Sequence, residues 1–366
     1  PGEYTSITLS YSVTRFEYFY YMSSPFDFSS AINLNYIYTS TPRNGGTIDL
    51  STWQITTLSD GMLNYNDLPA SFKLPSSLVT IESAVMRDYY NEVSFDLSGC
   101  TNLTTIANNA FTSQGASVTV SGLDGCTKLQ TIGANAFSGV TFNFSMGYPN
   151  RENQSSSYIT SLDFSRCTNL TSIGDFAFMN CTGGDEKYDY GYEYTVLVIK
   201  IPASLTSIGT MAFALNANVT EISVDANNPV YDSRNNCNAL IHTASNTLIR
   251  GSSSTVIPSN ITSIGDYAFT GCSDLHTVTI PASVTYIGYY AFDGCSSLTS
   301  ATFVEPRDWL VVCNSSSYSY TLYGTTLADT SKAAGCLNGN YTLTESDCDY
   351  FNDWYYTSGD MYWSRH

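Results

Sequence analysis

A 23-residue repeat constrains the fold of this chain more than any other feature. The stretch 264–280 reads IGDYAFTGCSDLHTVTI and the stretch 287–303 reads IGYYAFDGCSSLTSATF. Cys272 therefore recurs as Cys295, an offset of 23 residues (295 minus 272). A period of about 20–29 residues is typical of solenoids, in which each repeat forms one coil and neighbouring coils share a continuous core.

The same unit recurs upstream, separated by insertions. Its copies are LTTIANNAF at 103–111, LQTIGANAF at 129–137, LTSIGDFAF at 170–178, LTSIGTMAF at 205–213 and ITSIGDYAF at 261–269. Most copies follow a segment with period-two alternation, at 93–97, 161–165, 198–201, 221–225 and 277–280. Such alternation predicts a short strand with one buried face. The I-G-x-x-A-F run is too short for a stable helix and predicts a tight turn that returns the chain.

One stretch gives the most specific match to a known repeat. Residues 159–170 read ITSLDFSRCTNL, which follows the pattern L-x-x-L-x-L-x-x-N/C-x-L with Cys167 in the Asn/Cys position. Together with the recurring L-T-x-I-G-x-x-A-F, the chain resembles the BspA-like (Treponema pallidum type) leucine-rich repeat family. The segment 224–251 resembles the longer unit that occurs between repeats in that family.

The resemblance and the alternation together predict a repeat solenoid. We expect a right-handed curved leucine-rich-repeat solenoid with a parallel β-sheet on one face. Short turns or 3-10 segments are expected on the other face, with little α-helix. The resemblance also implies a protein of a bacterial or protist surface, where adhesion to host or neighbouring-cell proteins is the common role.

The repeats divide the chain into three predicted parts. Residues 68–303 carry the repeats, with insertions at 138–158 and 182–195. Residues 1–67 are predicted to hold degenerate N-terminal repeats and a cap, since a solenoid must cover its exposed apolar ends. Residues 304–366 lose the repeat and end in DWYYTSGDMYWSRH, which predicts a C-terminal cap whose aromatic side chains cover the last coil. An aromatic platform for a ligand is the alternative.

Charge and composition exclude several classes of partner. The net charge is -18, with 32 acidic and 14 basic residues, so that nucleic acids and anionic membranes are repelled. No apolar run is long enough to span a bilayer. The chain begins with Pro-Gly-Glu and shows no signal peptide, and we expect any export signal or anchor to lie outside this sequence. The Ser-, Thr-, Asn- and Tyr-rich composition favours an extracellular or cell-surface location.

The ten cysteines fall into two groups. Six occupy equivalent positions in the repeats and are predicted to be buried thiols: Cys100, Cys126, Cys167, Cys181, Cys272 and Cys295. The other four are Cys237, Cys313, Cys336 and Cys348. Of these, Cys336 and Cys348 are candidates for a disulfide in the C-terminal cap, although four cysteines allow three pairings. No CxxC pair or Cys/His cluster occurs, so we expect no zinc site.

Nothing in the sequence organises catalysis. The three histidines, His242, His276 and His366, neighbour no nucleophile motif, and no phosphate-binding glycine loop is present. We therefore expect no enzymatic activity and no cofactor. Asp225 and Asp232 lie in a segment whose spacing does not match a calcium loop, and solvated turns are the simpler interpretation.

The strand alternation predicts which side chains face outward. If Val278 and Ile280 point inward, then Thr277 and Thr279 point outward, and the same parity applies to the other strands. The predicted outward residues are Ser94, Asp96, Asp163, Ser165, Val198, Lys200, Ser223, Asp225, Thr277, Thr279 and Thr302. Successive coils would align them into a broad, shallow and mildly acidic surface. Such a surface suits a large partner better than a small substrate, although an ordinary solvated face looks the same.

The insertion at 182–195 is the second candidate for binding. It carries Tyr188, Tyr190, Tyr192 and Tyr194 among acidic residues and glycines. Insertions in solenoids are often on the binding face, and tyrosine supplies a large contact area at low entropic cost. A hairpin whose tyrosines pack on a neighbouring insertion is the alternative.

These features favour a non-enzymatic binding protein. Its partner is expected to be a protein, with host matrix or mucosal proteins as the candidates that the resemblance implies. A carbohydrate partner is the alternative, because the chain contains 29 tyrosines and 4 tryptophans whose rings stack on sugars. An architectural spacer is a third interpretation.

Overall fold

The chain forms a parallel β-solenoid of about eight turns, as seen in a computed structural model. The structure describes residues 7–8, 10–18, 26–27, 30–31, 34, 37–39, 46–65, 70–85, 93–111, 118–138, 141–142, 159–181, 196–216, 219–313, 319–340, 347–348 and 361–364. These residues belong to two compact units. The first comprises Pro1–Thr195 and Pro202–Phe213, and the second comprises Val196–Ile201 and Ala214–His366.

The first unit is built from short parallel strands. Its strands are β1 (Ile7–Thr8), β2 (Phe16–Tyr18), β3 (Phe26–Asp27), β4 (Ile37–Thr39), β5 (Gly46–Asp49), β6 (Thr57–Leu58), β7 (Leu63–Tyr65), β8 (Ala70–Lys73), β9 (Thr80–Ile81), β10 (Val93–Asp96), β11 (Thr105–Ile106), β12 (Val118–Ser121), β13 (Thr131–Ile132), β14 (Thr141–Phe142), β15 (Ile159–Asp163), β16 (Ser172–Ile173) and β18 (Ser207–Ile208). One sheet has the order β14-β12-β10-β8-β5, and a second has the order β18-β16-β13-β11-β9-β6.

Two sides of each coil therefore carry strands. The longer strands form the predicted sheet, and the Leu-x-(Thr/Ser)-Ile segment adds a two-residue strand that pairs in register from coil to coil. Ile106, Ile132 and Ile173 are register partners and are all buried. The predicted turn thus begins only after this isoleucine. Stacked coils offer backbone hydrogen-bond partners on every side, and an extended residue directs its N–H and C=O groups toward them.

The I-G-x-x-A-F turns also stack on one another. Backbone N–H groups donate to the equivalent turn of the next coil, as from Phe137 to the carbonyl oxygen of Ala177 at 2.8 Å. A Cβ atom at Gly174 would lie 2.4 Å from the backbone nitrogen of Ala134, so only glycine permits this approach. The residue before Ala-Phe has positive φ, as at Asn135 (53°) and Phe176 (57°).

The core of the first unit is a column of phenylalanine rings. Phe111 stacks on Phe137 at 5.1 Å between ring centroids, Phe137 stacks on Phe178 at 5.2 Å, and the rings are within 13° of parallel. Each of these rings is fully buried. Offset stacking adds about 0.5–1.5 kcal/mol per pair to the hydrophobic burial.

The second unit combines parallel coils with antiparallel segments. Its strands are β17 (Val196–Ile201), β19 (Val219–Val224), β20 (Tyr231–Asp232), β21 (Ala239–His242), β22 (Thr247–Gly251), β23 (Ser263–Ile264), β24 (Thr277–Ile280), β25 (Tyr286–Ile287), β26 (Ser300–Phe303), β27 (Trp309–Cys313), β28 (Ser319–Leu322) and β29 (Met361–Ser364). The helices are α1 (Gly324–Leu327) and α2 (Thr330–Asn338). One sheet has the order β20-β21-β22-β23-β25-β29-β27-β28, while β17 pairs with β19 and β24 pairs with β26.

The segment 224–251 interrupts the repeat with a hairpin. β21 pairs antiparallel with both β20 and β22, and β22 then pairs parallel with β23 of the next regular coil. Alternation along a strand is the same in parallel and antiparallel sheets, so the sequence pattern did not reveal this reversal. β22 thereby takes the place of the two-residue strand of a regular coil.

Residues beyond 303 cover the last described coil. β29 adds antiparallel to β25, and α2 packs on β26. Trp363 and Trp309 are buried against Phe303, with ring centroids 6.3 Å and 5.8 Å away. Trp363 thus packs in the core, whereas Trp354, Tyr355 and Tyr356 of the same aromatic run lie outside the described residues.

One local feature differs from the alternation. Val118 and Val120 point inward from β12, and Leu123 is buried as well although its parity is opposite. No bulge occurs in β12; instead Gly122 has φ 75° and opens the 3-10 segment Leu123–Gly125. A left-handed glycine reverses the chain without breaking the register of the strand.

Candidate binding surface

Nine of the predicted outward residues lie in strands, and Ser165 and Asp225 lie just beyond the ends of β15 and β19. Among them Ser94, Asp96, Asp163, Val198, Lys200 and Ser223 are half-buried, and Ser165, Asp225, Thr277, Thr279 and Thr302 are exposed. In the second unit, Thr277 and Thr279 are the register partners of Ser300 and Thr302. In the first unit, Ser94 lies between Ser71 and Thr119, and Asp96 lies between Lys73 and Ser121. The side chains on this surface are mostly short and polar.

The carboxylates of this surface hold turns together. Asp96 accepts a hydrogen bond from the backbone nitrogen of Ser98 at 2.9 Å, and Asp163 accepts one from Ser165 at 2.9 Å. Asp225 accepts from the backbone nitrogen of Asn227 at 2.9 Å. These contacts end the strand with an Asx turn. The acidic residues therefore stabilise the coil, and less of their hydrogen-bonding capacity is left for a partner.

Asp49 repeats the arrangement and adds an ion pair. It accepts from the backbone nitrogen of Ser51 at 2.8 Å and lies 3.5 Å from the Nζ atom of Lys73. Partial burial acts to raise the pKa of Asp49, but the hydrogen bonds from Ser51 and the charge of Lys73 outweigh it and lower the pKa. The pair is half exposed, so it contributes little to stability.

The hydroxyl groups of the same surface are not used in this way. The side chains of Ser94, Thr277, Thr279 and Thr302 have no hydrogen-bond partner among the residues that the structure describes. In the second unit Thr279 and Thr302 are register partners on neighbouring strands about 4.8 Å apart, so the hydroxyls of Thr277, Thr279 and Thr302 form a small array. Each of these hydroxyls can both donate and accept a hydrogen bond.

A second row of hydroxyls runs along the two-residue strands of the first unit. The register partners in this row are Thr57, Thr80, Thr105, Thr131, Ser172 and Ser207. The threonines just before them bond to the preceding coil, as Thr104 does to the carbonyl oxygen of Val79 at 3.1 Å. The recurring Leu-x-(Thr/Ser)-Ile of the sequence is the signal for this row, which the parity of the longer strands does not predict.

The Tyr-rich candidate and most of the insertions cannot be placed on this surface. Tyr188, Tyr190, Tyr192 and Tyr194 lie outside the described residues. The tryptophans Trp53, Trp309 and Trp363 are buried in the core. Tyr267 and Tyr290 stack on each other at 5.0 Å. In the described part of the chain, many aromatic faces are thus covered by protein.

The repeat cysteines are buried thiols, and most of them donate to carbonyl groups. The Sγ atom of Cys167 donates to the carbonyl oxygen of Cys126 at 3.5 Å, and that of Cys295 donates to Phe269 at 3.2 Å. Burial, with a smaller effect of nearby aspartates, raises the pKa of Cys100 and of Cys167 to about 12. These thiols are protonated at neutral pH and suit neither metal binding nor nucleophilic attack.

Cys336 and Cys348 of the proposed disulfide are both buried and are present as thiols. The side chain of Cys313 is not described.

Two acidic residues considered for calcium are engaged by protein groups. Asp232 pairs with Arg234 at 2.6 Å and accepts from the hydroxyl of Thr243 at 2.7 Å. Burial raises its pKa less than the hydrogen bonds from Arg234 and Thr243 lower it. Within the described ranges no group of three His, Cys, Asp or Glu side chains is arranged to hold a metal ion.

The two histidines in the described part of the chain, His242 and His276, contact a hydroxyl group and a backbone carbonyl group. His242 Nδ1 lies 2.8 Å from the hydroxyl of Ser245, which in turn donates to Thr247. No described carboxylate is seen to orient the imidazole. The described helices include none of the length and apolarity that a membrane span requires.

Comparison with known proteins agrees with this geometry. The model of the BspA type leucine rich repeat region matches this chain with six copies. The matched stretches, which overlap, are residues 3–116, 42–146, 104–186, 153–243 and 249–322. A search of curated proteins found no match.

Three solved structures are similar. The pneumococcal vaccine antigen PcpA is 18% identical, with a TM-score of 0.46 and alignment over 68% of this chain and 56% of that one. A leucine rich cell surface protein from Faecalibacterium prausnitzii A2-165 is 20% identical, with a TM-score of 0.35 over 82% and 70%. A leucine-rich repeat protein from Eubacterium ventriosum ATCC 27560 is 22% identical, with a TM-score of 0.35 over 57% and 59%.

The chain spans 56% of the PcpA structure, which is less than two thirds of its length. The family model, in contrast, extends over more than half of this chain and places its copies on the coils described above. The protein therefore belongs to the BspA-type leucine-rich repeat family.

Proposed function

We propose that this protein is a non-enzymatic binding protein of the cell surface or extracellular space. Its partner is a protein, held against the outward face of the parallel strands. The observation that carries the proposal is the array of short hydroxyl side chains, among them Thr277, Thr279 and Thr302, which have no partner among the described residues. Membership of the family supports a protein-binding role.

The shape and charge of the surface favour a protein partner. Short side chains on stacked strands form no deep pocket, and a partner gains affinity by covering area. The net charge of -18 steers basic proteins toward this chain and repels polyanions. We propose host matrix or mucosal proteins as the partners, with adhesion as the biological outcome.

The buried tryptophans argue against sugar stacking as the main mode. A carbohydrate site needs an aromatic ring with one open face, and the rings of Trp53, Trp309 and Trp363 are covered by protein. A protein partner instead needs donors and acceptors spread over a surface, as the hydroxyl array supplies.

The test is binding of the full chain to a panel of matrix proteins and to a glycan array. The double substitution Thr279→Arg and Thr302→Arg places two bulky cations in the array and is expected to weaken protein binding at least about tenfold. Thr285→Arg is the matched control, since Thr285 is also exposed but precedes β25. Equal affinity of the double variant and the control would refute the proposed surface, and binding to glycans alone would refute the partner class.

The Tyr-rich insertion is proposed as a second part of the binding surface. Replacement of Tyr188, Tyr190, Tyr192 and Tyr194 by serine removes large contact areas and is expected to weaken binding of the same partner. Unchanged affinity would remove this segment from the proposed site.

A further inference from the structure

Helix α2 carries a lysine and a cysteine on the side that faces residues 347–348. Lys332 and Cys336 are one turn apart and so lie on the same face of the helix. The Nζ atom of Lys332 is 3.1 Å from Oδ1 of Asp347. The face of α2 that carries Lys332 and Cys336 therefore lies beside Asp347 and Cys348.

Residues 347 and 348 are fixed from a second direction. The backbone nitrogen of Tyr323 donates to the carbonyl oxygen of Asp347 at 2.9 Å, and Leu322 forms an antiparallel bridge with Cys348. The hydroxyl of Thr326 donates to Oδ1 of Asp347 at 3.0 Å. Strand β28 and helix α1 thus hold Cys348 at a set position beside α2.

Both thiols lie in this contact. Cys336 is 8% exposed and Cys348 is 5% exposed. Burial is the main cause that raises the pKa of Cys336 to about 12, and the negative charge of Asp347 adds to it. The positive charge of Lys332 lowers the pKa, and Cys348 has a small raising effect. Cys336 thus lies one helical turn from the lysine that contacts Asp347, and Asp347 is the residue next to Cys348.

Cys336 also differs in its bonding from most of the repeat cysteines. The thiols of Cys126, Cys167, Cys181 and Cys295 donate to carbonyl oxygens. Cys336 has no such acceptor among the described residues. Its sulfur is therefore not committed to the backbone of a neighbouring coil.

We propose that Cys336 and Cys348 form a dithiol site that a small-molecule or protein disulfide converts into a cross-link between α2 and the segment at Cys348. The structure shows the reduced form of this site. This proposal concerns the C-terminal region and does not depend on the proposed binding surface.

The reaction is a thiol–disulfide exchange in two steps. One cysteine loses its proton, attacks a sulfur of the oxidant R–S–S–R and releases one thiolate, which leaves a mixed disulfide. The second cysteine then attacks the protein-bound sulfur and releases the other thiolate. The two thiolates take up the two protons, so that two cysteine thiols are oxidised and one disulfide is reduced to two thiols.

The cross-link would hold the helix on the last coil. The two cysteines are twelve residues apart (348 minus 336), and closing this loop restricts the unfolded chain. Because the thiolate is the reactive form and the docked thiols are protonated, exchange is slow once α2 has packed. The bond is therefore expected to form during folding and to resist reduction afterwards.

The experiment folds the full chain with oxidised glutathione or with a reductant, blocks remaining thiols under denaturing conditions and digests the product. Mass spectrometry is expected to find a peptide that links Cys336 to Cys348, about 2 Da lighter than the sum of the two reduced peptides, only after oxidising folding. Full blocking of both cysteines in the oxidised sample would overturn the proposal. A link from either one to another cysteine would also overturn it.

Variants add a readout that does not depend on peptide recovery. The oxidised wild-type chain is expected to unfold at a higher temperature than the reduced chain, and the difference is expected to vanish in Cys348→Ala. Cys237→Ala is the control, because Cys237 is also buried but lies outside this region. The redox difference is expected to persist in Cys237→Ala, and its persistence in Cys348→Ala would contradict the proposal.

Discussion

The regular coils of the first unit and the interrupted coil of the second satisfy the same backbone requirement by different means. Between residues 93 and 138, each coil pairs with the next through two strands and one turn, and small side chains fill the remaining gaps. Between residues 219 and 251, a hairpin replaces the regular coil, and the I-G-x-x-A-F turn is missing. The hairpin still gives the turn of the following coil one backbone bond, from the N–H of Gly251 to the carbonyl oxygen of Ala268 at 2.8 Å, but the carbonyl group of Thr270 is bonded by a side chain instead.

A buried arginine supplies the missing donors. Arg250 is 2% exposed, and its Nη1 atom donates to the carbonyl oxygens of Tyr267, Ala268 and Thr270 at 3.2, 3.3 and 2.9 Å. Its Nη2 atom donates to the carbonyl oxygen of Asn216 at 2.7 Å. Where the repeat is intact, backbone N–H groups of the neighbouring turn donate to the carbonyl groups of a turn. Where the repeat is interrupted, the guanidinium group of Arg250 adds donors.

The largest expected effect is therefore at Arg250. Arg250→Met keeps an apolar stem but removes the donors to the buried carbonyl groups of Thr270 and Asn216, and we expect a loss of about 3–5 kcal/mol in the free energy of unfolding. Urea denaturation of the full chain measures this loss. Arg234→Met is the control, since the Arg234–Asp232 pair is partly exposed and its loss is expected to cost about 1 kcal/mol or less. Equal losses in the two variants would contradict the role assigned to Arg250.

Alkaline pH should act on the regular coils through their thiols. The pKa of Cys167 is raised by burial to about 12 from an ordinary value near 9. The stability that depends on the protonated thiol is fully present below about pH 9. It is lost between about pH 9 and 12, because only the unfolded state releases the proton there. The expected slope is about 1.4 kcal/mol per pH unit for each such thiol.

The slope is tested by urea denaturation of wild type and Cys167→Ala between pH 8 and 11. Tyrosines and lysines titrate in both proteins, so the difference between the two slopes isolates the thiol. A variant as sensitive to alkali as wild type would show that Cys167 ionises as readily in the folded chain as in the unfolded one.

A smaller effect is expected where a side chain ties two turns together. Asp175 accepts a hydrogen bond from the backbone nitrogen of Thr210 at 2.7 Å, and Asp266 bonds in the same way to Tyr289 at 2.9 Å. Asp175→Ala is expected to lower the free energy of unfolding by about 1 kcal/mol. Asp274→Ala, at an exposed position whose carboxylate makes no described hydrogen bond, should change it by less than about 0.5 kcal/mol. A larger loss from Asp274→Ala than from Asp175→Ala would count against this assignment.

The smallest effect has the opposite sign. Met211 has φ 54° at the position that Asn109 and Asn135 occupy in other coils. Left-handed backbone costs asparagine less than most residues, so Met211→Asn is expected to stabilise the chain by about 0.5–1 kcal/mol. Thermal unfolding checks the sign, and a lowered melting temperature would mean that packing of the Met211 side chain outweighs the backbone strain.

Much of the fold could be predicted because residues at equivalent positions of the repeat pack next to one another in stacked coils. Ile106, Ile132 and Ile173 occur at equivalent positions, and they are register partners in the structure. Leu58, in the degenerate N-terminal region, also pairs with Ile81. The hairpin at 231–251 could not be predicted in the same way, because alternation does not distinguish a parallel neighbour from an antiparallel one. The role of Arg250 could not be predicted either, because it depends on the absence of a regular turn in the neighbouring coil.

The candidate surface could be predicted only in part. Parity along the strands predicts which side chains point outward, but it does not show which of them are already bonded. The recurring Asp-x-Ser, at Asp96-Leu-Ser98 and Asp163-Phe-Ser165, is the signal that would have identified the Asx turns. The residues of the Tyr-rich insertion remain a prediction, because they follow no repeat that fixes their neighbours.

Stacking of the coils in register is tested most directly by placing spin labels on two predicted partners. Thr131 and Ser172 are register partners on adjacent strands, and the long insertion at 138–158 separates them in sequence. Both are replaced by cysteine to attach the labels. Labels on these positions should be about 5 Å apart at the backbone and show strong dipolar broadening in the electron paramagnetic resonance spectrum. A spectrum of the doubly labelled chain equal to the sum of the two single-label spectra would show that these strands are not neighbours.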